Sequence, residues 1–266
     1  MRMVSVGTLD QATSSAGLQS DPVRRTFTTI ESALDEGISI VVPTYNEAEN
    51  IEQLVSRLQS ALEGLEYELL IVDDDSPDNT WRIAQLLYET DDRVRVLRRV
   101  GERGLASAIL YGFSRCEYRY CAVLDADLQH PPEAIPRLLL HADDETDVII
   151  GSRYTDFGRI NGWSSPRRIV SKGAVFLAKA FLPQIEDIDD PLSGFFLVER
   201  SVVEDESFDP IGYKLLLEVL VRSEATGVRE VPFVFEERND GESKLTLREY
   251  VNFVQHVLKL RTENDS

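Results

Sequence analysis

Two carboxylates one residue apart, Asp125 and Asp127, follow directly on an apolar run from Tyr120 to Leu124. Such a run reads as a buried strand, and open α/β sheets place ligands at the carboxyl ends of their strands. Hard oxygen donors at that place suit a divalent cation that holds a diphosphate. Triplets of this kind are common in an acidic chain, and Asp73-Asp74-Asp75 and Asp187-Ile188-Asp189 are further examples. The strand before it and Gln129-His130-Pro131-Pro132 after it set the triplet at Asp125 apart. Two other loops point at the same edge. Pro43-Thr44-Tyr45-Asn46-Glu47 follows a strand at Ile38 to Val42, and Asp73 to Asp78 follows a strand at Tyr67 to Val72. In a parallel sheet both emerge beside Asp125. A carboxylate there can accept hydrogen bonds from a base or ribose, and Tyr45 can stack on a base. Taken singly, the Asp run also reads as a solvated turn that caps a helix.

A second constellation has the opposite sign. Arg153, Arg159, Arg167, Arg168 and Lys172 fall in one short span of a chain that carries 28 Lys+Arg against 47 Asp+Glu, a net charge of −19. Such a local reversal favours an anionic partner, the plainer alternative being a basic turn that leads into a helix. Arginine forks grip phosphate oxygens in pairs. A departing diphosphate needs a cation against its charge. A hydroxyl acceptor would also need a general base, whereas a phosphate already carries its charge near pH 7. His130 reads either as a ligand or as a loop residue with a structural hydrogen bond. Glu218 reads either as a buried carboxylate paired with a base or as a surface group. Gly194 and Gly212 mark places where the backbone needs room.

These groups need a frame to hold them. Glu47 to Leu62 has helical spacing, with Ile51, Leu54, Val55 and Leu58 on one face. A helix capped by Asp78 or Thr80 runs to about Glu89, a third strand spans Val94 to Leu97, and a helix spans Gly104 to Ser114. Strand and helix alternating in this way imply a parallel sheet with right-handed crossovers. Gly173 to Leu182, Tyr213 to Val221 and Leu247 to Leu260 read as helices with apolar faces. For the first and last of these, core packing competes with a place at a membrane interface. Residues 1–36 are Ser/Thr/Gln-rich without periodicity and read as a disordered tail.

Bulk composition narrows the class. The chain of 266 residues, 42% hydrophobic and 28% charged, is globular in composition. Its acidity argues against nonspecific nucleic-acid binding, which needs a basic footprint. The same acidity suits a salt-rich, halophilic cytosol, where screening removes self-repulsion. The two cysteines, Cys116 and Cys121, read as reduced, partly buried thiols. The first 36 residues lack an apolar core of secretory type. No uncharged apolar stretch approaches the ~18 residues a membrane span needs. A cytoplasmic protein, peripheral on the cytoplasmic face of the membrane, is the expectation.

The strings Val42 to Ile51, Asp73 to Asp78, Asp125 to Glu133, Gly151-Ser152-Arg153-Tyr154 and Asp190 to Phe196 resemble the polyprenyl-phosphate hexosyltransferases of the dolichyl-phosphate mannose synthase type. These are inverting nucleotide-sugar transferases of family two with the GT-A fold, a Rossmann-like, mostly parallel sheet flanked by helices. The likeness runs from about residue 38 to 247. It implies hexose transfer from GDP-mannose or UDP-glucose to dolichyl or polyprenyl phosphate, feeding protein or surface glycosylation. A family-two enzyme with a saccharide or protein-linked glycan acceptor, and a noncatalytic nucleotide-binding module, are the alternatives. The resemblance assigns Pro43, Tyr45, Glu47, Val72 and Asp74 to the nucleoside, with Asp125, Ala126 and Asp127 also at the nucleotide-sugar. It assigns Asp125, Asp127 and Gln129 to a divalent metal, Mg2+ or Mn2+. Arg153 is assigned to a donor or acceptor phosphate, and Arg167 and Ser171 to the acceptor phosphate. Arg238 and Lys244 fall to a mobile loop over the donor phosphates and, with Asp127 and Arg153, form the catalytic set. The implied division is 37–150 for the nucleotide-sugar, 151–236 for the acceptor, and 237–266 for the loop and an amphipathic, interfacial C-terminal helix. Many relatives continue into transmembrane helices that this sequence lacks, so direct attachment or a membrane-anchoring protein partner is expected.

Overall fold

The computed structural model describes residues 37–204, 207–223, 225, 227–236 and 247–264. Arg238, Lys244 and the 1–36 segment lie outside the described residues. Ile38–Thr44 (β1), Ile51–Ala61 (α1), Tyr67–Asp73 (β2), Thr80–Leu87 (α2), Val94–Arg98 (β3), Leu105–Phe113 (α3) and Tyr120–Val123 (β4) alternate as the sequence pattern requires. They build a parallel block in the order β3-β2-β1-β4. Every residue of β1 and β2 is buried, as expected of central strands covered on both faces. Ile40 and Val42 of β1 pack with α1 residues Leu54 and Leu58 in one core, while Val41 packs with Ile109 and Phe113 of α3 in the other. Alternation along the strand makes that division. Gly112 lets α3 lie close, since a Cβ there would come within 2.5 Å of Val41 Cγ1.

The second half adds Ile135–Leu139 (α4), Val148–Ser152 (β5), Arg159–Ile160 (β6), Ser165–Phe181 (α5), Phe196–Glu199 (β7), Arg200–Glu204 (α6), Leu215–Arg222 (α7), Val228–Pro232 (β8), Val234–Phe235 (β9) and Leu247–Asn264 (α8). Strand β7 inserts antiparallel between β4 and β5, and β8 closes the far edge parallel to β5, giving a seven-stranded sheet β3-β2-β1-β4-β7-β5-β8. The sheet is thus mostly parallel and flanked by helices. It runs unbroken across residue 150, which lies inside β5.

Two helix boundaries differ from the periodicity for a local reason. The N–H groups of Asn46, Glu47 and Ala48 donate to Ser76 Oγ, Thr80 Oγ1 and Asp78 Oδ2 at 3.0, 3.0 and 3.1 Å, so α1 begins only at Ile51. Asp78 accepts from both the N–H and the hydroxyl of Thr80, and left-handed Asn79 at φ 64° stands at the cap itself. Cys116 and Cys121 are free and buried, and a hydrogen bond that the Cys121 thiol makes to Cys116, together with burial, pushes that thiol well above its ordinary value. Among the described residues, no helix is long and apolar enough to cross a membrane.

A candidate active site at the sheet rim

The loops after β1 and β2 are sewn together before any ligand arrives. Pro43 and Val72 are register partners at the two strand ends, and Thr44 Oγ1 donates to Asp73 Oδ2 at 2.8 Å. Asp73 also takes the N–H and hydroxyl of Ser76. Asn46 and Asp75 sit in the left-handed region at φ 57° and 53°, which Asn and Asp tolerate better than most residues. Asp74 is buried, and both its oxygens are engaged: Arg99 Nε donates to Oδ1 at 2.7 Å and Gly104 N to Oδ2 at 2.8 Å. Asp74 therefore fixes the 99–104 loop beside the place assigned to the nucleoside. That loop returns to Tyr45, whose ring lies 4.5 Å from the Arg103 guanidinium carbon. Glu47 Oε2 accepts from Asn50 Nδ2 at 2.9 Å and remains partly exposed.

Asp125 and Asp127 leave the end of β4, which lies next to β1 and parallel to it, so their loop shares the rim with Tyr45 and Asp74. Asp127 Oδ1 accepts the Gln129 N–H at 3.1 Å, a tight turn in which Leu128 adopts φ 61°. A bulky residue in that region stores backbone strain. Ala126 is buried in the core beneath. The Asp125 side chain stays open, 36% exposed, and a Cβ on Gly194 would come within 3.5 Å of its Oδ2. Gly194 thus keeps clear the space into which that carboxylate opens. His130 is fully enclosed by the rings of Phe195, Phe233 and Phe235 at centroid distances of 5.4, 5.7 and 5.5 Å. Burial, above all, pushes its pKa down to about 4. Its Nδ1 accepts the Asp125 N–H at 3.2 Å, so the ring is neutral and its 3.7 Å approach to the Asp125 carboxylate is not an ion pair. His130 supports the loop from behind and is not placed as a ligand.

Among the described residues, no group of three or more His, Cys, Asp or Glu converges on a metal position. Two carboxylates and the Gln129 amide do fit a different arrangement. Gln129 Nε2 donates to the Glu236 carbonyl at 3.2 Å, which leaves Oε1 as its free acceptor. Three hard oxygen donors are about half of an octahedral shell, and diphosphate oxygens supply the rest in sites where Mg2+ arrives with its substrate. Glu236 N also donates to Gln129 O at 3.0 Å. The last described residue before Arg238 is therefore tied to the carboxylate loop.

The basic side is ordered around Arg153. Its guanidinium meets Asp190 in a buried fork, and Asp190 in turn is held by Glu230, which accepts the N–H groups of Asp189 and Asp190 at 2.7 and 2.9 Å. Trp163, Tyr154 and Phe235 surround the Arg153 charge at 5.4 to 5.6 Å. Tyr154 donates to Ser171 Oγ at 2.8 Å, and Arg167 lies 4.4 Å over the Trp163 ring. Arg153, Arg167 and Ser171 are thereby joined through Tyr154 and Trp163. The fold sets the loops after β1, β2 and β4 along one rim, and adds to it the end of β5, a strand the sequence pattern did not mark.

Sequence patterns did not pick out Asp190 as the partner of Arg153, nor Lys214 at all. Lys214 is partly exposed at the amino end of α7, and its Nζ donates to the Leu192 carbonyl at 2.7 Å. Burial first, and then the neighbouring Arg153 charge, lower its pKa to about 8. A lysine opening an apolar helix looks like surface decoration in one dimension. Only the antiparallel return of β7 brings it to the rim.

Residues 39–206 match the family model described as glycosyl transferase family 2. Over 231 residues the chain is 46% identical to a dolichol-phosphate mannosyltransferase of Pyrococcus furiosus, an alignment that takes in 86% of this chain and 65% of that protein. The chain therefore spans just under two thirds of that relative. Proteins of the same name from Mycosarcoma maydis and Saccharomyces cerevisiae are 36% and 34% identical, over 84% of this chain in each case and 78% and 86% of theirs. Among solved structures, glucosyl-3-phosphoglycerate synthase from Mycobacterium tuberculosis, in complex with Mn2+, UDP and glucosyl-3-phosphoglycerate, superposes with a TM-score of 0.67 at 19% identity, covering 88% of this chain and 82% of that one. That likeness is one of fold, and it places the sheet described above among the GT-A glycosyltransferases.

Proposed function

The chain belongs to glycosyl transferase family 2, of the dolichyl-phosphate mannose synthase type, and from that premise we propose that it transfers a hexose from a nucleotide-sugar to the phosphate of dolichol or another polyprenol. The observation that carries this reading is the juxtaposition of opposite charges at one rim. Asp125 and Asp127 end β4, while Arg153, Arg167 and Ser171 line the β5 side. An acidic loop of this kind suits a cation with a diphosphate, and a basic pocket suits a second phosphate.

The names of the relatives favour mannose, and hence GDP-mannose over UDP-glucose, as the donor. Asp125, Asp127 and Gln129 would hold the divalent metal, Mg2+ or Mn2+. When bound, the metal neutralises charge on the departing diphosphate. Tyr45 and the 99–104 loop bound the nucleoside, and Arg153 and Arg167 orient the acceptor phosphate. An acceptor oxygen forms the new bond to the anomeric carbon. The old bond to the diphosphate oxygen breaks, its electron pair leaves with the nucleoside diphosphate, and configuration inverts. No protein base is required, because the attacking oxygen is already anionic.

We also propose attachment to the cytoplasmic face of a membrane. On α5, Ile169 and Phe176 are 70% and 76% exposed, one heptad apart and so on one stripe. On α8, Val251, Val254 and Leu258 form a similar exposed stripe, and the two helices pack together. Apolar stripes beside Arg167, Arg168 and Lys172 suit an anionic headgroup layer. A membrane-anchoring protein partner is the second way to cover them.

Incubation with labelled GDP-mannose or UDP-glucose, dolichyl phosphate and Mg2+ or Mn2+ tests the reaction. Label in an acid-labile lipid supports it, and label confined to aqueous saccharide removes the lipid acceptor. Asp127→Asn should lower turnover by about 100-fold or more, in line with the loss of a group that serves transition-state charge. Arg238→Ala and Lys244→Ala should slow turnover more than they weaken nucleotide binding.

A further inference from the structure

Lys214 carries a charge that the protein itself leaves largely unspent. An ammonium has three donors. One is used on the Leu192 carbonyl, and among the described residues the other two have no hydrogen-bond partner. Its charged neighbours are Arg153, Asp190 and Asp125. Asp190 is already committed to Arg153 through both oxygens. Two cations therefore lie together, with one carboxylate fully engaged and a second, Asp125, on the loop assigned to the metal. The Arg153 charge acts against that of Lys214, and a contact to one carbonyl does little to offset it. An anion placed between them removes the conflict.

The position in the sheet tells which anion. The nucleoside loops follow β1 and β2, on one side of β4. Lys214 bonds to Leu192, in the loop that enters β7, and β7 lies on the other side of β4, next to β5 and Arg153. The adjacent Tyr213 feels the charges of both Arg153 and Arg167. Lys214 thus stands where the basic pocket meets Asp125.

We propose that Lys214 is a further substrate-binding residue, whose Nζ donates to the phosphate monoester of the acceptor and holds its attacking oxygen toward the donor's anomeric carbon. This rests on the polyprenyl-phosphate reading above. The step is the displacement already described, and Lys214 neither gains nor loses a proton in it. Its role is to screen one anion as it approaches another. A rotating ammonium suits a group that passes from a monoester to a diester, because its donors follow the oxygens without the fixed plane of a guanidinium.

The test compares wild type, Lys214→Gln and Lys214→Arg with farnesyl phosphate as acceptor and labelled GDP-mannose as donor. Glutamine can still donate to the Leu192 carbonyl, so the fold contact is kept. The expected result for Lys214→Gln is a KM for farnesyl phosphate raised about 10- to 100-fold, the range for losing a charge-assisted hydrogen bond. GDP affinity should stay within about twofold of wild type, and Lys214→Arg should recover part of the loss. An unchanged acceptor KM, or an equal loss of GDP affinity, overturns the proposal. An independent measurement uses wild type alone: acetylation of Lys214, read by mass spectrometry, should be slowed by farnesyl phosphate and not by GDP. Equal labelling with and without farnesyl phosphate overturns it, whether or not a variant folds. Wild type that transfers no label to any polyprenyl phosphate sinks the functional reading instead, so the two failures are distinct.

Discussion

Arg153 and Asp190 face each other as two parallel hydrogen bonds, Nε to Oδ2 at 2.8 Å and Nη2 to Oδ1 at 2.7 Å, with the carboxylate wholly buried. The Arg153 backbone N–H adds a third bond to Oδ2 at 3.0 Å. The end of β5 is thereby bolted to the loop that enters β7. Nη1 remains as the part of the guanidinium without a hydrogen-bond partner among the described residues.

Asp190→Asn tests the fork. It leaves a buried guanidinium without its counter-charge, a loss that typically costs about 3 kcal/mol or more. Urea unfolding should show that decrease, and acceptor KM should rise because Arg153 is no longer aimed. A stability change below about 1 kcal/mol would show that the pair does not hold the loop.

His130 should make the acid limb of stability steeper. Its folded pKa of about 4 lies below the ordinary 6.5, so in the window between them the unfolded chain binds more protons. Stability from the neutral ring is therefore complete above pH 6.5 and is lost as pH falls toward 4. A shift of this size corresponds to roughly 3 kcal/mol at most. His130→Asn keeps an acceptor for the Asp125 N–H but does not titrate. In EDTA, the wild-type unfolding free energy should fall more between pH 6.5 and 4.5 than that of the variant. Parallel curves would mean that the ring is not enclosed as described.

The exposed stripes of α5 and α8 give a third test. Phe176→Asp and Val251→Asp place charge on residues 76% and 55% exposed, so folding should be nearly unaffected. Flotation with vesicles that contain phosphatidylserine should drop about tenfold or more, while GDP affinity stays constant. Retained flotation in the double variant would remove these stripes from the membrane.

Net charge gives the fourth. With 47 Asp+Glu against 28 Lys+Arg, the folded chain repels itself wherever screening is weak. Adaptation to molar salt, which we propose for this chain, predicts a midpoint of thermal unfolding that rises by tens of degrees from dilute buffer to 2 M KCl. Full stability in dilute buffer would argue against it.

The first half was legible because its signals are local. Ile51, Leu54, Val55 and Leu58 sit at helical spacing and all are buried, and the apolar runs of β1, β2 and β4 became strands at nearly the expected limits. The rim followed from strand order alone. Short loops that bond across to one another blurred the ends, as where left-handed Asn46 and the bonds from the N–H groups of residues 46–48 to Ser76, Thr80 and Asp78 hold the chain ahead of α1 in a turn. The second half was harder because its partners are remote in sequence. Of the two readings of Glu218 the structure shows the buried one, and what no local pattern announces is its partners, the Asp209 N–H at 2.8 Å and His256 at 3.2 Å, 38 residues on. Nor does Phe196–Glu199 announce that it runs opposite to its neighbours.

The place of β7 has a consequence for synthesis. Strand β4 is complete at Val123, yet its outer edge is paired only by residues 196–199. A nascent chain that has emerged through β5 still presents an uncovered row of amides and carbonyls at the centre of its future sheet. Chains truncated near residue 150 should consequently precipitate or capture a second strand. The chain should gain a lasting native state only after the loop bearing Asp190 and Gly194 has left the ribosome.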